Sequence, residues 1–132
     1  MSIKISKNRL DMGLTRLIKA TVIYYISSAG GNPVSVFLDS LNSIQQAKLL
    51  RIIKYAEIYG LQSILPHVKK LSATPLWEIR VLGKNNIRAL YAVVRNNSII
   101  ILHGFVKKTQ KTPPREVNLA LSRLKEWLKN NP

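Results

Sequence analysis

The sequence predicts an α+β fold: a small four-stranded sheet, antiparallel except where the first strand joins it, in the order β-α-α-β-β-β-α. Three observations carry this. Three β-branched, apolar runs follow one another closely at Leu76–Leu82, Ile87–Val94 and Ile99–Val106. Two stretches with helical spacing and their own cap residues come before them. A third helical stretch follows.

Residues 1–19 are a basic extension ahead of a domain spanning residues 20–132. Lys4, Lys7, Arg9, Arg16 and Lys19 interrupt every apolar stretch, so no signal-peptide core forms there. Leu10, Leu14, Leu17 and Ile18 repeat at weakly amphipathic spacing. Thr21 to Ser27 is β-branched and aromatic and reads as the first strand, broken by Ser28-Ala-Gly-Gly31. Asn32 caps a helix with Pro33 at its first position, and Val34, Phe37, Leu38 and Leu41 share one face. Asn42 or Ser43 caps the next helix. Its apolar stripe reads Ile44, Ala47, Leu50, Ile53, Ala56, its wet side Lys48, Arg51, Lys54, and Gly60 closes it. The two helices form a hairpin over one face of the sheet. Residues 61–75, with Pro66 and Pro75, show no periodicity and read as loop.

Gly83 to Asn86 joins the first two strands of the meander, and Asn96-Asn97 the last two. Thr112 caps and Pro113 opens the last helix, with Val117, Leu121, Leu124 and Leu128 as its stripe and Glu116 near its positive end. That helix is placed at the other side of the sheet.

Register decides which side chains meet. A two-residue turn pairs Arg95 with Ser98, Tyr91 with Leu102, Leu90 with His103 and Arg88 with Phe105. An odd-length loop in the earlier hairpin sets Arg80 opposite Arg88 and Trp77 opposite Tyr91. One face then holds Trp77, Ile79, Val81, Ala89, Tyr91, Val93, Ile100 and Leu102 as core. The other carries Glu78, Arg80, Arg88, His103 and Phe105 at one end and Ala92, Val94, Ile99 and Ile101 at the other. An even-length loop would scatter that core.

The chain has 132 residues, is 46% hydrophobic, and carries 21 Lys+Arg against 6 Asp+Glu, a net charge of +15. This fits one folded domain whose partner is polyanionic. With no cysteine, disulfides, thiolate zinc sites and thiol catalysis are excluded. No run is long enough to span a membrane, so a cytoplasmic protein without membrane association is expected.

The residues with chemical potential cluster around the last strand, where Leu102-His103-Gly104-Phe105-Val106 ends in Lys107-Lys108. RNA brings its own nucleophile, the 2′-hydroxyl. Its cleavage needs a base, an acid for the 5′-oxygen and cations for the pentacoordinate transition state, with no metal or cofactor. Arg80, Arg88, Lys107 and Lys108 can hold phosphates. His103 and Glu78 are candidate proton-transfer groups. Glu78 reads equally well as an ion-pair partner of Arg80. Phe105 can stack on a base or close the core. Lys69, Lys70 and Lys111 extend the basic rim as RNA contacts.

The tract Leu76–Pro113, above all Phe105-Val-Lys-Lys-Thr-Gln-Lys-Thr-Pro113, resembles the RelE/ParE toxin superfamily. It is most similar to its phage-derived HigB-type branch of type II toxin–antitoxin systems. Pro33-Val-Ser-Val-Phe-Leu-Asp-Ser-Leu41 is similar to that branch's first helix. The resemblance covers roughly residues 20–130. It implies a RelE-like domain, ribosome-dependent mRNA cleavage that inhibits translation, and a helix-turn-helix antitoxin in a toxin–antitoxin hetero-oligomer. It also implies that Arg80, Arg88, Lys107 and Lys108 contact phosphate, with Lys69 or Lys70 as a further basic position. The ParE-like arm of the superfamily inhibits gyrase, so the fold alone leaves that activity, or a non-catalytic nucleic-acid-binding protein, as alternatives.

Overall fold

The computed structural model describes residues 19–83, 86–95 and 97–132. The extension before Lys19, and Asn96 of the second turn, lie outside the described residues. β1 (Thr21–Tyr24) pairs in parallel with β5 (Ser98–Val106) and occupies one edge of the sheet. It stops three residues short of the expected Ser27, although the Tyr25 N–H still donates to the Ile101 carbonyl at 2.9 Å. α1 (Pro33–Ser40) starts as read, with the Asn32 side chain accepting from the Ser35 N–H. α2 (Ser43–Tyr59) is capped by Asn42 through the Gln45 N–H and ends at Gly60, whose φ of 91° suits glycine.

The sheet is a mixed one of five strands among the described residues, ordered β1-β5-β4-β3-β2, where four were expected. The extra strand is β2 (Val68–Lys70), reached through a 3-10 helix at Leu61–His67. Three residues beside Pro66 have no periodicity to detect. They become a strand only by pairing with β3 (Leu76–Val81), Lys69 opposite Glu78 and Lys70 opposite Trp77. β4 (Ile87–Arg95) completes the meander. Five residues separate β3 from β4, of which Lys84 and Asn85 lie outside the described residues, and Arg80 faces Arg88 and Trp77 faces Tyr91, as the odd register requires. Trp77 and Tyr91 stack with centroids 6.4 Å apart, and burial pushes the Tyr91 hydroxyl up to about 12.

The β4–β5 register departs from expectation in the middle. Arg95 faces Ser98, Leu90 faces His103 and Arg88 faces Phe105, but Tyr91 faces Ile101 rather than Leu102. Two irregularities compensate each other: Val94 is the extra residue on β4 and Leu102 on β5. Between them the strand is flipped. Ile99 and Ile101 therefore join Tyr91, Ala89 and Ile79 under α1 and α2, while Ile100 and Leu102 join Leu90 and Ala92 on the opposite face. Val93, expected in the core, is 49% exposed.

α2 is also rotated from its expected stripe. Leu49, Ile52, Ile53 and Ala56 are buried, whereas Ile44 is 68% exposed. α3 (Pro114–Asn130) covers the second face with Ala120, Leu124 and the partly buried Val117, Leu121 and Trp127. Leu128 faces water. The helix begins one residue later than read, and Thr112 does not cap it.

α3 is tied to β1 by a polar link. The buried Tyr25 hydroxyl donates to the Glu126 carboxylate, which also accepts from the Ser28 N–H at 3.0 Å. The Tyr25 bond, then that of Ser28, holds the Glu126 carboxyl below its ordinary value of 4.5. A carboxyl whose folded pKa is depressed stabilises the fold above its unfolded pKa and loses that contribution as pH falls through the folded value. Glu126→Gln is accordingly expected to flatten the fall in melting temperature between about pH 5 and pH 3 relative to wild type. Parallel curves would show that the link contributes nothing. No helix among the described residues is long and apolar enough to cross a membrane.

Candidate functional site

Arg88 sits near the start of β4, one strand in from β3, and is 8% exposed. A guanidinium is tolerated there because Glu78, 1% exposed, places Oε1 3.6 Å from its Nε. This is an ion pair by distance without a hydrogen bond. The Nε atoms of both Arg88 and Arg80 are buried with no hydrogen-bond partner among the described residues. Arg88 also donates from one terminal nitrogen to the Ile87 carbonyl at 3.0 Å. Burial, against the attraction of Glu78 and with the repulsion of Arg80, lowers the Arg88 pKa. A guanidinium still stays charged. Strand pairing thus holds two like charges side by side, Arg88 with its hydrogen-bonding capacity only partly used.

Glu78 is a structural counter-charge. Its Oε2 accepts from the Thr112 hydroxyl at 2.5 Å, which fastens the end of the loop after β5 to the sheet. Buried, with Oε2 bonded to Thr112 and Oε1 facing Arg88, it does not line the open cleft around Arg88, Lys107 and Lys108, and it is not a surface partner of Arg80.

The loop leaving β5 returns over Arg88. Its first residue is fixed by a bond from the Lys107 N–H to the Asn86 carbonyl, 2.9 Å. Asn86, Arg88, Lys107, Lys108, Thr109 and Gln110 surround an open cleft of about 510 Å³. Arg88, Lys107 and Lys108 therefore share one solvent-facing depression, with Arg80 as Arg88's cross-strand neighbour.

Other candidates lie elsewhere. The His103 Nε2 is 2.7 Å from Glu116 Oε1, and its Nδ1 is 3.3 Å from an Arg123 nitrogen. Arg123 also donates to the Leu102 carbonyl at 2.8 Å. Both ring nitrogens are thus engaged by α3, and His103 is a clamp between helix and sheet. Phe105 is 6% exposed, stacked on His103 at 5.4 Å, and belongs to the core rather than to a base-stacking surface. Lys69 is exposed on the Glu78 face of the sheet. Lys70 points to the other face, its Nζ 6.0 Å from the Trp77 ring and donating to the Thr74 carbonyl. Lys111 is exposed in the loop but does not line the cleft.

Asn86, Thr109, Gln110, Thr112, Glu116 and Arg123 escaped the sequence reading as site or support residues. Glu116, Ala120 and Arg123 stand at i, i+4, i+7, a single helix face, and that spacing was the available signal. Among the described residues no three His, Asp or Glu side chains gather as metal ligands.

Residues 36–125 match the family described as Phage derived protein Gp49-like (DUF891). The chain belongs to that family. The match runs from α1 into α3 and includes every residue of the cleft and of the Glu78 and His103 clusters. Gp49-like proteins are associated with RelE/HigB-like toxins. No curated protein matches this chain.

Proposed function

We propose that this Gp49-like protein is the toxin of a type II toxin–antitoxin pair of the RelE/HigB kind, cutting mRNA on the ribosome and thereby arresting translation. The observation that carries this is the convergence of Arg88, Lys107 and Lys108 on one cleft. In the reaction the 2′-hydroxyl gives its proton to water in the cleft as its oxygen attacks the adjacent phosphorus, the bond to the 5′-oxygen breaks as that oxygen takes a proton from a lysine, and a cyclic phosphate forms. Three cations around the phosphate counter the charge that grows on its oxygens. Arg88, held from beneath by Glu78, offers a fixed fork, whereas Lys107 and Lys108 offer point charges and protons for the leaving oxygen. A helix-turn-helix antitoxin is the expected partner, and the work is done in the cytoplasm without a metal or cofactor.

Expression in bacteria should stop translation and leave messages cut at defined sites, read by primer extension. Lys107→Ala combined with Lys108→Ala should lower cleavage about 100-fold or more. Both lysines lie on a surface loop, so stability should move by no more than about 0.5 kcal/mol. Growth arrest with intact messages and inhibited supercoiling would replace this reading with the gyrase-directed one.

A further inference from the structure

A second basic depression lies round the edge of β3. β2 pairs with β3 only as far as Ile79, so that edge is open from Arg80 onward. There Lys48, Arg51, Tyr55, His67, Arg80 and Leu82 line a groove of about 300 Å³. Lys48, Arg51 and Tyr55 stand at i, i+3, i+7 and share one face of α2. Neither cation has a carboxylate within ion-pair distance among the described residues. Tyr55 is 42% exposed and Leu82 77%. The groove and the cleft are linked through the lining of a third depression. This smaller depression, of about 200 Å³, shares Asn86 with the cleft and Lys48, Val81 and Leu82 with the groove.

We propose that this groove is a second nucleic-acid subsite, holding the part of a single strand that runs on from the cleft. Lys48 and Arg51 take backbone phosphates, and Tyr55 stacks on a base. Cations interleaved with an exposed ring are the pattern that binds single strands without reading their sequence. Beside these charges stand the exposed Tyr55 ring on the same helix face and, across the groove, the exposed Leu82 just after β3, apolar surface that solvating the charges alone does not require. The inference rests on the reading that a strand enters the cleft, and it adds where that strand goes next.

The test is fluorescence anisotropy of the purified full chain with a labelled oligouridylate of about 12 nucleotides, long enough to fill both sites. Its 2′-positions are O-methylated, so it cannot be cut. Tyr55→Ala should weaken binding about fivefold or more, and Tyr55→Phe should restore it. Lys48→Ala with Arg51→Ala should reduce the salt slope by about 1.4, the share of two phosphates on a single strand. Circular dichroism melts confirm that each variant is folded. If these variants bind like wild type while Lys107→Ala/Lys108→Ala binds weakly, the groove inference falls and the cleft reading stands. If the groove variants alone weaken binding, the cleft reading falls instead. Equal losses in Tyr55→Ala and Tyr55→Phe would overturn stacking.

Discussion

Glu78→Ala is expected to destabilise the protein by about 3–5 kcal/mol, the cost of leaving a buried charge without its partner. The charge left behind is Arg88, 8% exposed, with Arg80 directly opposite and no other carboxylate in range among the described residues. The same substitution frees the Thr112 hydroxyl from its 2.5 Å bond and so releases the end of the loop that carries Lys107 and Lys108. Urea denaturation should show a lower midpoint with little change in slope. Thr112→Val removes only the hydroxyl and should cost about 1–2 kcal/mol. A double replacement, Glu78→Gln with Arg88→Met, takes away both charges and should regain most of the lost stability. It should also be inactive. This contrast separates support from chemistry: Glu78 acts through Arg88 as a positioning residue. A Glu78→Ala protein within about 1 kcal/mol of wild type would show that water or a shift of Arg88 relieves the charge, and that the pair does not hold the site.

The same pair shows what a sequence can and cannot disclose. That Arg80 faces Arg88 followed from loop parity and the need to keep Trp77, Ile79 and Val81 on one apolar face, and the register agrees. The helix starts at Asn32 and Asn42 were legible because capping is a local exchange between a side chain and the N–H three residues on. The middle of β5 was not. Four successive apolar residues, Ile99 to Leu102, are all fully buried, so hydropathy carries no alternation from which to fix a face. Two one-residue irregularities that cancel leave both ends of the hairpin in the expected register and hide the flip between them. β2 was invisible for another reason: three residues acquire strand character from their partner, not from themselves. Glu78 illustrates the limit for the site. A glutamate beside an arginine reads alike in sequence whether it is a base, a surface partner or a buried counter-charge. Only its burial, with Thr112 bonded to it and Arg88 beside it, decides. His103 was similar, since its two partners, Glu116 and Arg123, stand on a helix further along the chain, and nothing local to the strand shows that they meet it.

Gly104→Ala is expected to destabilise the fold by about 3 kcal/mol or more, at the upper end of what overpacking costs. Gly104 lies in β5 between His103 and Phe105, opposite Ala89, on the face covered by α1. A Cβ built there would run into the Phe37 ring, closer than 3.0 Å to its Cδ2, Cε2 and Cγ. The ring therefore rests on the strand backbone itself, and only a hydrogen at this position leaves room. Relief requires Phe37 to leave its rotamer or α1 to lift from the sheet. Lifting α1 would uncover Val34, which is 3% exposed. The site would suffer as well: Phe105 faces Arg88, and Lys107 begins the loop two residues later, so a displaced β5 misaligns the cleft's cations. The compensating change is Phe37→Leu, which shortens the opposing side chain; in the Gly104→Ala background it should recover part of the loss. Alone, Phe37→Leu opens a space beside Gly104 and should cost about 1–2 kcal/mol. A double-mutant cycle by urea denaturation measures the coupling, expected at about 1 kcal/mol or more in favour of the pair. Additive effects would mean that the ring and the strand do not meet, and that something other than Phe37 demands glycine at position 104.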